Sequence, residues 1–414
     1  MNFIYNIVVC LLTCVAQVLS RFNPKIKLWT AGTRGWKYKY ADKVDPDKKK
    51  IWIHCASLGE FEQGRPVIEA LKAKYPEYSI VLTFFSPSGF EVRKNYDKAD
   101  YIFYLPADTP ANAKKFIDII NPDFAIFVKY EFWNNYISTL YERDIPLYLV
   151  SCIFKPEQHF FKWYGEFFRN ILKKVTMFFV QDKTSFDLLA SIGVKNVIIA
   201  GDTRFDRVAQ IASEAKEIKN IELFRGDEKL FLAGSSWKPD EEIIARYIND
   251  NPDKMKWVFA PHEPSPENVE RLEKLFNVKS IRYSSYTEAD NDARVMIIDN
   301  IGMLSSAYKY AYIAAIGGGF GKGIHNILEA ACWGLPVMFG PRFEKFREAV
   351  ELIQENGAAS FDSFETFRKT IDNWLSDNTF YSQSSMAAKT YVHSNKGATD
   401  KILNAIFTKT YKQD

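Results

Sequence analysis

Short uncharged apolar runs alternate with longer mixed stretches along nearly the whole chain. The runs at 51–57 (IWIHCAS), 79–85 (SIVLTFF), 101–105 (YIFYL), 124–128 (FAIFV), 146–151 (PLYLVS), 177–180 (MFFV) and 196–201 (NVIIAG) have the length and composition of buried strands. The stretches between them carry helix-spaced apolar positions. One is 65–75, read as a helix with Pro66 in its first turn. Strands separated by helices predict βαβ units and a parallel sheet. From about 202 to 226 the chain is polar and broken, which reads as a connector. The rhythm then restarts at 229–236, 256–261, 294–299, 312–318 and 336–340. The expectation is an α/β protein with two similar domains at 23–205 and 206–380, followed by a helical tail, 381–414, that crosses back to the first.

The first residues break this rhythm. Residues 3–19 are mostly apolar and uncharged, near the lower limit of about 17–25 residues for a membrane span. A secretory signal needs a basic start and an A-x-A-like cleavage site, and neither is present. The basic residues come afterwards: Arg21, Lys25, Lys27, Arg34, Lys37 and Lys39. Residues 1–22 therefore read as a membrane anchor helix with the body on the cytoplasmic side. A helix lying in the interface and a buried core helix are the other readings. The basic cluster suits anionic headgroups or lipid phosphates, although a solvated surface has the same composition.

Composition narrows the classes. With 414 residues and 47% hydrophobic content the chain is long enough for two cores. A net charge of +3 gives no indication of nucleic acid binding. The five cysteines are odd in number and widely spaced, which argues against a disulfide framework. Zinc-ligand spacings are also missing from the sequence, so no metal site is expected.

Five motifs could carry chemistry. In HCASLGEFEQG (54–64), Glu60 follows a strand end and a glycine turn, at the start of the next helix. Ligands of open parallel sheets bind at the carboxyl ends of the strands, where a carboxylate suits a general base. A glutamate placed only for the helix dipole gives the same pattern. In VKYEFWNN (128–135), Glu131 and Trp133 lie just past another strand and fit a sugar site or plain core. In AGDTRFD (200–206), Arg204 could neutralise a leaving phosphate or make an interdomain ion pair. In APHEP (260–264), His262 could contact a base or phosphate, or be structural. In the run 316–341, five glycines precede a helix starting near Asn326. That pattern suits an anion at a helix N-terminus, with Glu329 one turn on to take ribose hydroxyls. It is neither a Walker loop nor G-x-G-x-x-G.

Taken in order, the N-terminal apolar helix, HCASLGE, YEFWNN, GDTRFD, APHEP, DNIGML and HNILEAA resemble the family of 3-deoxy-D-manno-octulosonic acid (Kdo) transferases of lipid A. The resemblance implies a GT-B glycosyltransferase fold, two Rossmann-like domains facing a central cleft. It also implies CMP-Kdo as donor, a lipid A precursor (lipid IVA) as acceptor, inverting transfer, no cofactor or metal, and a place at the inner membrane's cytoplasmic face. Carried over by position, Glu60 is the catalytic base, and Glu131 and Arg204 stabilise the transition state. CMP contacts fall to Pro261, His262, Ile301, Gly302, Met303, Asn326, Ile327, Leu328 and Glu329. Lys25, Lys27, Arg34 and Lys37 are candidates for the acceptor phosphates. The chain departs from the family pattern in several places. Ile301-Gly302-Met303 stands for the usual Met-Gly-Glu, so contact there must come from backbone. Arg204 replaces a lysine, Gly340-Pro341-Arg342 replaces Gly-Pro-His, and Trp133-Asn134-Asn135 replaces Trp-Pro-Asn. Two rival readings are another GT-B enzyme using a UDP-sugar, transferase or epimerase, and a non-catalytic sugar-nucleotide-binding scaffold at the membrane.

Overall fold

The computed structural model describes residues 1–410. The chain forms two compact units: Met1–Arg207 with the chain from Lys396 onward, and Val208–Asn395. The sequence places the departure of the tail at 381. Instead, the helix Asn378–Ser394 stays with the second unit. It is held there because Ser384 accepts from the Trp374 indole, and Ser385 donates to the Gly334 carbonyl.

The first unit holds β1 (Lys50–Cys55), β2 (Ser79–Phe84), β3 (Tyr101–Tyr104), β4 (Phe124–Val128), β5 (Leu147–Cys152), β6 (Met177–Val180) and β7 (Val197–Ile199). They form one parallel sheet in the order β3-β2-β1-β4-β5-β6-β7. β1, β2 and β4–β6 are buried along their whole length, which is why they read as continuous apolar runs. Trp52, Phe116, Phe127 and Tyr136 fill one face of the sheet; Ile53, Phe61, Phe84 and Phe179 fill the other.

The second unit holds β8 (Leu230–Ser236), β9 (Lys256–Pro261), β10 (Ser280–Arg282), β11 (Val295–Ile297), β12 (Ile313–Ile316), β13 (Val337–Phe339) and β14 (Ala358–Ser360). Its parallel sheet runs β10-β11-β9-β8-β12-β13-β14. The sequence pattern misses β10 and β14. Both are three-residue edge strands with half-buried positions, and neither carries an apolar run.

Two further expectations are corrected. The first helix after β1 begins at Leu58, not near 65, and runs to Lys74 with Pro66 inside it. Ser57 is extended, and its carbonyl accepts the Phe61 amide, so the helix starts there despite Gly59. The stretch 202–226 is largely helical, as Thr203–Ser213 and Lys219–Arg225. Tertiary contact orders it: Ile221 and Phe224 are buried, and Asp206 accepts the amides of Gly397 and Thr399 at 2.6 and 2.7 Å.

The N-terminal helix Asn2–Leu19 is long and apolar enough to cross a membrane, and none of its residues is buried. Its half-buried positions Tyr5, Asn6, Val9, Thr13 and Ala16 make a single stripe at helical spacing. That stripe is docked: the Tyr5 hydroxyl donates to Asp108 at 2.6 Å, and the Asn135 amide donates to Asn6 at 2.9 Å. The face turned away from the body presents Phe3, Leu11 and Val18, each at least 60% exposed.

Candidate active site

In each sheet one pair of neighbouring strands marks the point where the strand order reverses: β1 and β4 in the first unit, β8 and β12 in the second. Crevices outside the carboxyl ends of such strands are where open α/β sheets bind ligands. The segments after β1, β4 and β12 carry Glu60, Glu131 and Asn326–Glu329, whereas Arg204 follows β7, His262 follows β9 and Ile301–Met303 follow β11.

After β1 the chain turns at Ser57 into its helix, with Glu60 in the first turn and half-exposed. The Ser57 hydroxyl donates to the Glu60 carboxylate. After β4, Lys129 adopts the left-handed region at φ +66°, uncommon for a side chain of this size, and Glu131 follows two residues on. Glu131 is 11% exposed at its side chain and is held from two sides. Trp133 donates its indole N–H to it at 2.6 Å, and Nε2 of His54 lies 3.2 Å away. His54 is wholly buried on β1, with Nδ1 2.9 Å from the Thr83 hydroxyl, which itself accepts the Trp52 indole N–H at 2.9 Å. A buried polar chain thus runs Trp52–Thr83–His54–Glu131. Burial, followed by the charges of Glu60, Glu131 and Glu62, pushes the Cys55 thiol well above its usual range. The two carboxylates picked out by sequence therefore act on the same buried thiol.

Arg204 lies in the first turn of the Thr203–Ser213 helix. Its guanidinium forks onto Asp202 at 2.8 Å through Nε and 2.7 Å through a terminal nitrogen, and Asp202 is 6% exposed. This pair lies within the first unit. Thr203 bridges the Ser151 hydroxyl and the Gln63 carbonyl, tying this turn to the end of β5 and to the Glu60 helix. Asn134 and Asn135 turn away from Glu131. Both are buried at the start of their own helix, with the Asn135 amide donating to the Asp108 carbonyl.

In the second unit, Trp237 follows β8, His262 follows β9, and His325 follows the glycine run. The three rings stack: Trp237 on His262 at 4.8 Å between centroids, and His262 on His325 at 4.3 Å. The Trp237 indole also donates to Nε2 of His325 at 3.0 Å. Burial and the neighbouring His262 lower the His325 pKa, which favours the neutral ring. Asp240, 2% exposed, accepts the Gly318 amide at 3.2 Å and the Trp237 amide at 3.1 Å. Its other oxygen has no partner among the described residues, and burial raises its pKa to about 6.

Backbone geometry by itself requires most of the glycines in the run 317–323. A Cβ on Gly317 would lie 2.2 Å from the Ser235 carbonyl, and one on Gly319 2.6 Å from the Gly340 backbone. Gly318 and Gly323 have φ of +95° and +142°. Close backbone approach explains Gly317 and Gly319, the positive φ explains Gly318 and Gly323, and Gly321 has neither constraint. The helix beyond is a single turn, Leu328–Ala331, so its dipole is small. The expected pairing of Asn326 and Glu329 is present. The Asn326 amide donates to Glu329 at 3.0 Å, and Ser305 donates to its other oxygen at 2.5 Å. Asn326 is exposed, Glu329 half-buried, and Ile327 and Leu328 are wholly buried. Side-chain contact to a ligand therefore falls to Asn326 and Glu329, and Ile327 and Leu328 serve as packing. Pro261 is half-buried at the end of β9. Ile301 is 87% exposed beside Gly302 at φ +105° and half-buried Met303, past β11.

Lys25, Lys27, Arg34 and Lys37 are all exposed. Lys25 lines one cavity of the first unit, and Lys27 and Arg34 line its neighbour, whereas Lys37 lines neither. Sequence reasoning gave no role to His54, Thr83, Trp237, Asp240 or His325. Only Trp237 and His325 had a visible signal, as an aromatic and a histidine directly after a strand and a glycine run.

Residues 32–207 match the family model described as 3-deoxy-D-manno-octulosonic-acid transferase (kdotransferase). The chain is 29% identical over 348 residues to the 3-deoxy-D-manno-octulosonic acid transferase of Aquifex aeolicus, covering 83% of this chain and 86% of that one. It is 25% identical to the transferase of the same name from Haemophilus influenzae, covering 96% and 95%. Among solved structures, the UDP-GlcNAc 2-epimerase of Neisseria meningitidis bound to UDP-GlcNAc superposes with a TM-score of 0.61 at 17% identity, over 87% of this chain and all of that one. That likeness concerns the fold, two Rossmann-like units of the GT-B type.

Proposed function

We propose that this chain, whose residues 32–207 match the Kdo transferase model and which is similar to Kdo transferases along most of its length, is a glycosyltransferase that transfers Kdo from CMP-Kdo to a phosphorylated, acylated glucosamine disaccharide, lipid IVA, at the cytoplasmic face of the inner membrane. The carrying observation is the placement of Glu60: a half-exposed carboxylate in the first turn of the helix leaving β1, beside the sheet's reversal point. In this reading Glu60 takes the proton from an acceptor hydroxyl. The freed oxygen attacks the anomeric carbon of Kdo from the face opposite CMP. The C–O bond to CMP breaks, the configuration inverts, and CMP departs as an anion. Arg204, oriented by Asp202, neutralises that anion, and no metal or cofactor is required. Glu131 stabilises the positive charge that builds on the sugar ring as the bond to CMP stretches. Pro261, His262, the backbone at Ile301–Met303, Asn326 and Glu329 hold the CMP. Glu329 is suited to ribose hydroxyls because both its oxygens already accept hydrogen bonds from neutral groups.

The test is Glu60→Gln with CMP-Kdo generated in situ. A loss of about a hundredfold or more in transfer rate, with CMP binding intact, is expected of a general base. Transfer near the wild-type rate overturns the assignment. The second reading, a UDP-sugar enzyme, draws on the fold shared with the epimerase. Thermal shift separates the two: stabilisation by CMP and not UDP supports the first, and the reverse supports the second.

A further inference from the structure

We propose that the N-terminal helix is a wall of the acceptor site, and that an acyl chain of the acceptor lipid lies in the chamber between this helix and the body of the first unit. The proposal rests on the transfer reading above. The chamber has a volume of about 470 Å³ and is lined on one side by Val9, Leu12 and Ala16, and on the other by Ile26, Trp29 and Phe85. Its wall is almost wholly apolar, yet Lys25 stands at its edge. A second chamber of about 490 Å³ shares Thr13, Trp29 and Ala107 with it and is lined by Lys27, Arg34 and several hydroxyl and amide side chains. None of Lys25, Lys27 and Arg34 has an acidic partner among the described residues.

An apolar chamber that shares a wall with a basic, polar one matches a molecule with hydrocarbon chains beside phosphates. Three further observations select an acyl chain. Trp29, in the shared wall, has a buried indole N–H without a partner among the described residues, a donor suited to an ester or amide carbonyl at the head of such a chain. The chamber also leads to the chemistry. Trp29 packs on Phe85 at 5.5 Å and Phe85 on Trp133 at 4.9 Å, and Trp133 both lines the chamber and donates to Glu131. Lastly, the helix docks through Tyr5 and Asn6 and turns Phe3, Leu11 and Val18 outward, so hydrocarbon can reach the chamber's rim without crossing water. Each methylene withdrawn from water contributes about fourfold in affinity, so even a partly seated chain would dominate acceptor binding.

The experiment uses the full chain in nanodiscs, with the acceptor disaccharide lipid carrying a diazirine on an acyl chain and a diazirine phosphatidylglycerol as the bulk-lipid control. The acceptor probe should label residues around Ala16, Trp29 and Phe85, and excess unlabelled acceptor should suppress that labelling. Ala16→Trp and Val9→Trp, which fill the chamber, should each cut the labelling about tenfold. They should also cut the ratio of kcat/KM for acylated over deacylated acceptor by a similar factor. Labelling confined to the outer face at Phe3, Ile7 and Leu11, or equal chamber labelling by phosphatidylglycerol, overturns the proposal. So does an unchanged acceptor ratio in both variants when wild-type transfer is robust, an outcome that leaves the transfer reading standing. Chamber labelling by the acceptor without any movement of Kdo from CMP-Kdo supports the chamber and defeats the transfer reading.

Discussion

Nε2 of His54 stands 3.2 Å from a carboxylate oxygen of Glu131. The imidazole is wholly buried and anchored through Nδ1 to Thr83, so the position of the carboxylate is set from inside the sheet. His54 is thus a positioning residue that acts through Glu131. His54→Ala is expected to lower kcat by about a hundredfold, the usual consequence of a reacting group displaced by roughly an ångström. The KM for CMP-Kdo should change little, because the residues proposed to hold CMP belong to the second unit. Thr83→Val should give a smaller loss in the same direction. Steady-state kinetics of the two variants, with circular dichroism to confirm folding, checks the split.

Arg204 meets Asp202 through two nitrogens, a geometry that lysine cannot reproduce. Arg204→Lys should therefore retain part of the transfer rate, and Arg204→Met should lose about a hundredfold or more, as expected when a group that neutralises a leaving anion is removed. Asp202→Ala leaves the guanidinium unaimed. It should approach the Arg204→Lys rate although Asp202 is buried away from solvent. Equal activity of wild type and Asp202→Ala would show that the fork does not orient Arg204.

Asp240 provides a test in pH. Folding raises its pKa from 3.8 to about 6, so between those values the native second unit binds more protons than its unfolded chain. Stability of that unit should fall as pH rises through this window and level off above it, by about 3 kcal/mol in all for a shift of this size. Asp240→Asn removes the slope and should gain relative to wild type above pH ~6, with the two converging near pH ~4. Denaturant titrations across the window check the sign. A wild-type slope no more negative than that of Asp240→Asn would contradict the burial argument.

The glycine run separates packing from ligand binding. Gly319→Ala places a Cβ 2.6 Å from the Gly340 backbone, and the strand ends must part, at a cost of about 1–3 kcal/mol. Gly321→Ala meets nothing closer than 3.5 Å and should stay within about 0.5 kcal/mol of wild type. Calorimetry of the two variants distinguishes them.

These residues also show what can be read from sequence. Buried parallel strands announce themselves because both their faces are apolar, so twelve of the fourteen strands and both α/β halves were legible. β10 and β14 were not, since Ser280–Arg282 and Ala358–Ser360 carry no apolar run, unlike the equally short edge strand β7. Glu60 and Glu131 were legible as residues following strands, a position the topology makes useful. Their supports were not. His54 and Thr83 sit inside strands, where a polar side chain reads only as an interruption. Asp240 reads as one more acid in a helix start. Gly59 and Pro66 misplaced the first helix boundary, because local breaker signals were outweighed by burial of Phe61, Val67 and Ile68. The glycines of 317–323 were read as a cradle for phosphate because sequence does not reveal which backbone lies opposite them.

The carboxylate of Asp206 accepts the backbone amides of both Gly397 and Thr399, and Tyr75 stacks on Phe407 at 3.5 Å. The first unit is thus closed by the helix Ala398–Thr410, which follows the whole of the second unit in the chain. During synthesis a complete second unit must be made before the first can cover Tyr75 and Phe124. Until then the exposed apolar N-terminal helix and an open apolar patch belong to the same nascent chain. A stop codon near position 396 would remove no residue of the proposed chemistry, and it would still leave a protein unable to finish folding.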